Sequence, residues 1–514
     1  MNGADRLISS LISCGVDTCF ANPGTSEMHM VQAIDRSEDF HAILCLFEGV
    51  CTGAADGFGR MRGRPASTLL HLGAGLGNGI ANLHNCRRAA TPLLNIVGDH
   101  AIHHVAYDAP LTSDIEAVAK PVSSWIRTSR SSTSMDLDVW DAVQSTLSNH
   151  PDSLGNISTL IVPADCAWSE STERSLPPIT QNLVAADPAK VEQVAQVIDS
   201  DTMILVDGNG LTEEGVKSAG RIAKKTGCRV FTPTFPARVE SGPDLPLIHR
   251  LPYFPEQIIE LLQPVQKLVL CGGAAPVSFF AYPSLPSHLV PDHCAVLQLA
   301  HRHEDVATTL QNLADSLGAK DYDPANGTRP EVPTSGETSV RSVATMLAAR
   351  IPDDAIITGD SGGGGAAFPL MQRTVGHTWL NLTGGSIGDG GPVGVGAAVA
   401  CPDRPVFALL GDGGAMYTNQ FLWTAARENL NLTTVIFSNQ QYNILEVEYL
   451  RTGVNEIGKR AASLFDLSNP QLDWVKLAEA QGVPAMRASS CEQFIDGLDA
   501  SNSTDGPFLI EAMV

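Results

Sequence analysis

The stretch Pro405-Val406-Phe407-Ala408-Leu409-Leu410-Gly411-Asp412-Gly413-Gly414 places an acidic residue in a glycine-rich turn directly after an apolar run. A second apolar run, from Thr433 to Phe437, precedes Asn439, which stands 27 positions after Asp412. Short apolar runs that end at Gly, Asp or Asn are typical of buried strands, and the apolar spacing from Gln420 to Glu428 favours a helix between them. The stretch therefore predicts a strand, a turn, a helix and a second parallel strand.

Asp412 and Asn439 would stand at the carboxyl ends of two strands, where open parallel sheets bind ligands. Carboxylate and amide oxygens are hard ligands that suit Mg²⁺. Because these two side chains cannot complete an octahedral shell, a backbone carbonyl, water and the oxygens of a diphosphate must supply the rest. The pair therefore predicts a magnesium-diphosphate cofactor, and the competing interpretation is an ordinary Gly-Asp-Gly tight turn.

Two further glycine-rich stretches precede this turn. Residues Gly384 to Pro392 lead into a small-residue helix from Val393 to Ala400, and their glycines would let the backbone approach a ligand closely. Residues Gly359 to Gly363 follow the apolar run Asp354 to Thr358 and can cradle phosphate through backbone amides. Each stretch could also be a plain glycine turn before a tightly packed helix.

Candidate catalytic residues lie near the amino terminus. Glu48 sits among apolar neighbours, where a carboxylate can share a proton with a ring nitrogen, although a carboxylate at a helix start is also ordinary. The turn Asn22 to Glu27 follows a short strand predicted over Asp17 to Phe20. His71 ends another predicted strand before a glycine loop, a position that favours function over the commoner structural role of a lone histidine.

Taken in order, these motifs resemble the thiamine diphosphate (ThDP) enzymes, in particular acetolactate synthase large subunit-like and benzoylformate decarboxylase-like proteins. The resemblance implies that Asp412, Asn439 and the carbonyl of Gln441 bind Mg²⁺. It also implies that Glu48 activates the cofactor at its pyrimidine ring. In the same way Thr25 would contact the substrate, and His71 would transfer protons. The other implied cofactor contacts are Asp360, Ser361, Gly385, Ile387, Gly411, Gly413, Gly414 and Ile444.

Alternating strand and helix patterns predict an α/β protein with three doubly wound parallel-sheet domains. Two polar stretches, Ala167 to Pro188 and Lys320 to Glu337, divide the chain. By the resemblance, residues 1–166 form the pyrimidine-binding domain, 183–320 the central domain and 335–514 the diphosphate-binding domain. Because Glu48 and Asp412 fall on different domains, the resemblance implies a homodimer or a dimer of dimers with active sites between subunits.

Composition limits the classes of partner. A formal charge of −23, from 33 basic and 56 acidic residues, argues against nucleic acid and anionic membranes. The 11 cysteines stand mostly in apolar settings, which indicates a reducing compartment. The start of the chain has no signal-peptide pattern, and no apolar run reaches 18 residues, so we predict a cytoplasmic enzyme.

The resemblance implies decarboxylation of a small 2-oxo acid followed by transfer of the acyl carbanion to a second carbonyl, as in acetolactate synthases. Where the benzoylformate decarboxylase pattern has a second catalytic histidine after Ala-Pro-Val, this chain has Ala281. A methyl group cannot donate a proton, which favours carboligation over aldehyde release. The alternatives are a non-ligating decarboxylase of benzoylformate or branched-chain type and, less favoured, a non-catalytic ThDP-binding subunit. FAD is not favoured, since the central strand ends carry no distinctive flavin pattern.

Overall fold

The computed structural model of the chain describes residues 1–148, 156–172, 174–181 and 183–514. Its strands form three sheets of six, five and seven strands. Neighbouring strands pair in parallel in all three sheets, and one antiparallel pair lies at an edge of the third. The predicted class, α/β with three doubly wound parallel sheets, is confirmed. The predicted boundaries at residues 166, 183, 320 and 335 stay predictions.

The first sheet is built within the first 168 residues. Its strands are β1 (Thr18–Asn22), β2 (His41–Leu44), β3 (Ala66–Leu70), β4 (Leu93–Asp99), β5 (Trp125–Thr128) and β6 (Ile157–Pro163). Its helices are α1 (Gly3–Ser13), α2 (Met28–Asp35), α3 (Glu48–Arg62), α4 (Leu72–Ala89), α5 (Ile115–Ala119), α6 (Met135–Leu147) and α7 (Ala164–Trp168). The strand order is β2-β1-β3-β4-β6-β5, so the order of winding reverses between β1 and β3.

The second sheet has the order β10-β8-β7-β11-β12, which reverses between β7 and β11. The strands of this region are β7 (Thr202–Val206), β8 (Arg229–Thr232), β9 (Val239–Ser241), β10 (His249–Arg250), β11 (Lys267–Cys271) and β12 (Ala295–Ala300). Its helices are α8 (Pro188–Val197), α9 (Glu213–Thr226), α10 (Pro255–Leu262) and α11 (Val306–Ser316).

The third sheet carries the stretch on which the sequence argument rests. Its strands are β13 (Ala355–Gly359), β14 (His377–Asn381), β15 (Val406–Gly411), β16 (Leu432–Ser438), β17 (Ala485–Ala488) and β18 (Phe508–Met513). Its helices are α12 (Val340–Arg350), α13 (Gly362–Thr374), α14 (Gly390–Ala400), α15 (Asp412–Ala415), α16 (Phe421–Arg427), α17 (Asn443–Arg451), α18 (Lys459–Ala462), α19 (Trp474–Ala480) and α20 (Cys491–Ser503). The strand order is β17-β18-β16-β15-β13-β14-β9, and it reverses between β13 and β15.

One strand of the third sheet departs from the all-parallel pattern. β9 comes from the central part of the chain and pairs antiparallel with β14, with Val239 opposite Trp379. Added at the edge, it covers the backbone groups of β14 that would otherwise lack a partner strand. Among the described residues, no helix combines the length and the apolar character needed to cross a membrane.

The helices α3 and α14 join the first and third sheets at very close range. A Cβ atom at Gly57 would lie 2.1 Å from the carbonyl oxygen of Val393, and one at Gly396 would lie 1.8 Å from that of Ala54. No side chain fits at either position, so glycine is what allows the two backbones to touch. One turn nearer the start of α3, a Cβ at Gly53 would lie 2.6 Å from the Pro392 side chain, so α3 also contacts the end of the glycine-rich stretch.

Candidate active site

Asp412 and Asn439 lie where the sequence places them, at the carboxyl ends of the adjacent parallel strands β15 and β16. Asp412 is buried, and its two carboxylate oxygens accept hydrogen bonds from the backbone amides of Gly413 (2.8 Å) and Gln440 (2.7 Å). Burial raises the pKa of Asp412, and the two amide bonds oppose that rise. Since Gln440 directly follows Asn439, the carboxylate ties the two predicted ligands together.

The segment after β16 is much more open. Asn439 is exposed, and its side-chain oxygen accepts a hydrogen bond from the Gln441 amide at 3.2 Å. Gln441 lies in an isolated antiparallel bridge opposite Asp466. Ile444, in the first turn of α17, is 48% exposed. The residues assigned to the cation and the cofactor on this side therefore border solvent in the single chain.

Asp360 follows β13, across the reversal of strand order from Asp412. One oxygen, Oδ2, accepts a hydrogen bond from the Gly388 amide at 2.9 Å. The other oxygen, Oδ1, is shielded from solvent without a hydrogen-bond partner among the described residues, and a Cβ atom at Gly414 would lie 3.6 Å from it. Burial raises the pKa of Asp360. Ser361 next to it has a structural role, because its hydroxyl caps α13 by accepting from the Gly364 amide at 3.0 Å.

The glycine-rich stretch brings Ile387 to this edge of the sheet. The backbone turns with positive φ at Gly385 (79°) and Gly388 (89°), a conformation that favours glycine. As a result, the Cβ of Ile387 lies 3.7 Å from the position that a Cβ would take at Gly414. A Cβ at Gly413 would meet the ring of Tyr442 at 2.4 Å, so this turn also requires glycine.

Glu48 is the first residue of α3 and is only 7% exposed. Its Oε2 accepts a hydrogen bond from the Asn78 side chain at 2.9 Å. Asn82, one turn further along α4, donates to the carbonyls of Gly49 (2.8 Å) and Gly388 (3.3 Å) and so joins the two regions. We did not predict Asn78, although a row of polar residues at helical spacing in α4 could have indicated it: Asn78, Asn82 and Asn85.

His71 follows β3 and is paired with a buried glutamate that the sequence argument missed. Its Nδ1 lies 2.7 Å from Oε2 of Glu27, whose side chain is 0% exposed. Ser26 donates to Glu27 at 2.7 Å and lies 3.2 Å from the same ring nitrogen. Thr25, the predicted substrate contact, is exposed in the same turn. β1 and β3 flank the reversal of strand order in the first sheet, which brings these two turns together.

A buried ion-pair network lies behind the glycine-rich stretch. The Arg60 Nε donates to Asp56 at 2.9 Å, and its guanidinium also binds the backbone carbonyl of Asn381 at 2.6 Å. Asp389 lies 3.9 Å from Arg60 and is 1% exposed. Burial raises the pKa of Asp389 to about 8, against the opposing effect of Arg60. The chain therefore holds more carboxylates near the site than the predicted set.

A cavity of about 680 Å³ lies at the carboxyl edge of the second sheet, where its strand order reverses. Its wall includes Asp207 after β7, residues 272–279 after β11, and Gly384 of the third sheet's glycine-rich stretch. A Cβ at Gly385 would lie 2.7 Å from the ring of Phe279, so this part of the central region packs directly against that stretch.

Family models match the regions of the first and third sheets, which carry the candidate site residues. Residues 1–118 match the thiamine pyrophosphate enzyme, N-terminal TPP binding domain, and residues 358–512 match the C-terminal TPP binding domain of the same enzymes. The chain belongs to the thiamine diphosphate-dependent enzymes. This finding confirms the family that the sequence motifs resemble, and the two matched regions contain Glu48 and His71 on one side and Asp412 and Asn439 on the other.

Among curated relatives of this ThDP enzyme, one from Mycobacterium tuberculosis is named "Putative acetolactate synthase large subunit IlvX". It is 47% identical over 521 residues, covering 100% of this chain and 99% of that protein. The benzoylformate decarboxylase of Pseudomonas aeruginosa is 28% identical, and the match covers 97% of this chain and 96% of that protein. The fold matches that of the ThDP-dependent 4-hydroxybenzoylformate decarboxylase of Rhodococcus jostii, with a TM-score of 0.86, 22% identity, and coverage of 100% and 99%.

The residues present fit thiamine diphosphate. Among the described residues, Asp360 Oδ1 has no hydrogen-bond partner, and it lies beside Gly414, where a Cβ would meet no atom closer than 3.6 Å. Among the described residues, no group of three or more His, Cys, Asp or Glu side chains could hold a metal ion. A cation between Asp412 and Asn439 would therefore need carbonyl, amide and diphosphate oxygens, which are the ligands that Mg²⁺ accepts.

Proposed function

We propose that this ThDP enzyme binds Mg²⁺, decarboxylates a small 2-oxo acid and transfers the acyl carbanion to a second carbonyl, as an acetolactate synthase-like carboligase. When bound, thiamine diphosphate supplies the nucleophilic carbon and stores the electron pair that CO₂ leaves behind. Asp412, Asn439 and the Gln441 carbonyl would hold the cation. The preformed bonds of Asp412 to two amides support this assignment, since they fix the carboxylate before any ligand arrives.

Glu48 and His71 are proposed as the proton-handling groups. Glu48 would hold a proton at the pyrimidine ring, and the Asn78 amide orients its carboxylate toward a single direction. His71 has Nδ1 turned to Glu27, so Nε2 is left to face a substrate. A carboxylate behind a histidine fixes its tautomer and the orientation of its ring. Thr25 is exposed in the adjacent turn and stays the proposed substrate contact.

The observation that carries carboligation lies in residues 278–281, which reach the glycine-rich stretch through Phe279. The side chains in this segment are Ser, Phe, Phe and Ala. Its one hydroxyl, on Ser278, donates to the carbonyl of Phe280 and is engaged within its own loop. These four side chains therefore offer no acid to protonate the product of decarboxylation, so a second carbonyl can compete for it.

A panel of 2-oxo acids, assayed with ThDP and Mg²⁺ and with products identified by mass spectrometry, tests the proposal. We expect acyloin or acetohydroxy acid to exceed aldehyde, and Ala281→His to shift the product toward aldehyde by restoring a proton donor. If the wild-type enzyme released only aldehyde, carboligation would be refuted and simple decarboxylation would take its place. The similarity to the Pseudomonas benzoylformate decarboxylase supports that alternative. Absence of CO₂ from every acid would leave only a non-catalytic binding subunit.

We further propose a homodimer or a dimer of dimers with active sites between subunits. Exposed apolar side chains near both halves of the site support this: Leu46, Tyr107, Leu111, Tyr417 and Ile444. A second copy that covered them would remove apolar surface from water.

We also propose a cytoplasmic location, which is supported by the eleven cysteines, all of them free. We expect the purified protein to contain no bound FAD, and its absorbance spectrum checks this.

A further inference from the structure

Arg451, the last residue of α17, joins the third sheet's region to the central one. Its Nη2 donates to Oε1 of Glu256 at 2.7 Å. Its guanidinium carbon lies 4.9 Å from the ring centroid of Phe254 and 4.5 Å from that of Tyr282. A guanidinium is attracted both by the faces of aromatic rings and by a carboxylate. Three residues of the central region therefore hold this one side chain.

Glu448 closes the cluster from one turn earlier in α17. The Tyr282 hydroxyl donates to its carboxylate at 3.0 Å, and the Arg451 Nε lies 3.6 Å from the same group. Arg451 helps to lower the pKa of Glu256 against the effect of burial, and the pKa of Arg451 is raised. The Glu256 carboxylate and the Arg451 guanidinium therefore stay charged near neutral pH. We call this cluster the interdomain clasp: Phe254, Glu256, Tyr282, Glu448 and Arg451.

The helix that the clasp holds has little else to fix it. Within the described range 183–514, α17 buries none of its nine residues. Leu445 and Leu450 are 42% and 45% exposed, so the helix gains little from apolar burial. Helices in proteins owe most of their stability to such packing. At its start the helix is tied by a backbone bond from Tyr442 to Phe465 (2.8 Å), further along by an edge-on contact of Tyr449 with the Phe465 ring at 6.1 Å, and at its end by the clasp.

The clasp also lies close to the proposed site in sequence and in space. α17 begins four residues after Asn439 and carries Ile444 in its first turn. On the central side, Tyr282 follows Phe279 by three residues, and Phe279 packs against Gly385. Residues 279–282 therefore extend from the glycine-rich stretch at one wall of the site to α17 at the other.

We infer that Arg451 is a positioning residue of this enzyme, which fixes α17 through the interdomain clasp and thereby holds the Asn439–Ile444 segment in place for the cofactor and substrate. The part that concerns catalysis rests on the proposed function. The part that concerns the position of α17 does not, because it follows from contacts within the chain. Arg451 itself stands at the far end of the helix and acts through the residues before it.

Three variants and one control test the inference. Arg451→Gln removes the charge at similar length, Arg451→Lys keeps the charge without the planar guanidinium, and Tyr282→Phe keeps the ring but loses the bond to Glu448. Arg427→Gln is the matched control. Arg427 also ends a helix and lies over an aromatic ring, that of Trp423 at 5.3 Å, but both belong to α16.

The first measurement is hydrogen–deuterium exchange in the protein without added cofactor. In Arg451→Gln, peptides covering Asn443–Arg451 should exchange about tenfold faster than in wild type, while β16 peptides stay unchanged. Arg451→Lys should restore part of the protection, Tyr282→Phe should lie between, and Arg427→Gln should match wild type. If α17 exchanged at the wild-type rate in both Arg451→Gln and Tyr282→Phe, the inference would be overturned. If Arg451→Gln does not fold, Tyr282→Phe carries the test.

The second measurement is steady-state kinetics with ThDP and Mg²⁺. Arg451→Gln should lower kcat by about tenfold and raise the KM for the oxo acid less, with partial rescue in Arg451→Lys. If Arg451→Gln loosened α17 but left kcat and KM unchanged, the inferred role in catalysis would be refuted and the role of the clasp in holding α17 would stand. A wild type that turns over no oxo acid, together with fast exchange in Arg451→Gln, would refute the proposed function and leave the clasp standing.

Discussion

The first sheet holds its functional side chains by other side chains, whereas the third sheet holds its carboxylate by the backbone. Glu48 is fixed by Asn78 of α4, and His71 by Glu27 of the turn after β1. Asp412 is fixed by two amides, but Asn439 and Ile444 beyond it border solvent. The half proposed to handle protons is therefore preorganised within the chain, while the half proposed to bind the cation depends on contacts from outside its own core.

The largest expected effect falls on the backbone-held half. Asp412→Ala should abolish metal-dependent ThDP binding, because the diphosphate keeps its charge but loses the cation that neutralises it. Calorimetric titration of ThDP with and without Mg²⁺ measures this. Asp466→Ala, an exposed carboxylate next to the same segment, should bind as wild type does. An unchanged affinity in Asp412→Ala would refute the metal assignment.

A smaller set of effects is expected in the half that is held by side chains. Glu48→Gln should still bind ThDP, yet proton exchange at the thiazolium C2 should fall by about two to four orders of magnitude, as for a lost acid–base group. Asn78→Ala removes only the orienting amide, so its exchange rate should fall less. NMR of the bound cofactor follows the exchange. A wild-type rate in Glu48→Gln would place activation at another residue.

Glu27 separates positioning from direct chemistry in the same half. Glu27→Gln keeps an acceptor for the His71 ring but loses the negative charge, so we expect kcat/KM to fall by about ten- to a hundredfold with unchanged ThDP binding. Equal kcat/KM for the variant and wild type would show that Glu27 only supports the turn.

The smallest effect concerns the buried network between the halves. The folded pKa of Asp389 is about 8, above its ordinary value near 3.8, so the folded protein binds a proton that the unfolded chain has already released. The stability from this group is fully present at acid pH and is lost as pH rises toward about 8. Asp389→Asn should therefore flatten the fall in the urea midpoint between about pH 4.5 and about pH 8. An identical slope in both proteins would contradict this.

The sequence by itself determined the fold class and the place of most site residues. Apolar runs ended by Gly, Asp or Asn predicted β15 and β16, and hence Asp412 and Asn439 at one edge, because strand ends are read from local composition. The glycine-rich stretch from Gly384 to Pro392 could be recognised for the same reason, whereas the close helix contact at Gly57 and Gly396 was not predicted. The family could also be recognised from the sequence, because its motifs occur along the chain in the order that the family has.

Only the tertiary structure decided which side chains meet. Glu27 and His71 stand 44 residues apart, and they come together because β1 and β3 are neighbours at the reversal of the first sheet. Asp389 and Arg60, and likewise Arg451 and Tyr282, belong to different parts of the chain, and β9 joins a sheet built more than a hundred residues later. Such pairs depend on the order of strands and the packing of helices, which local residue patterns do not encode.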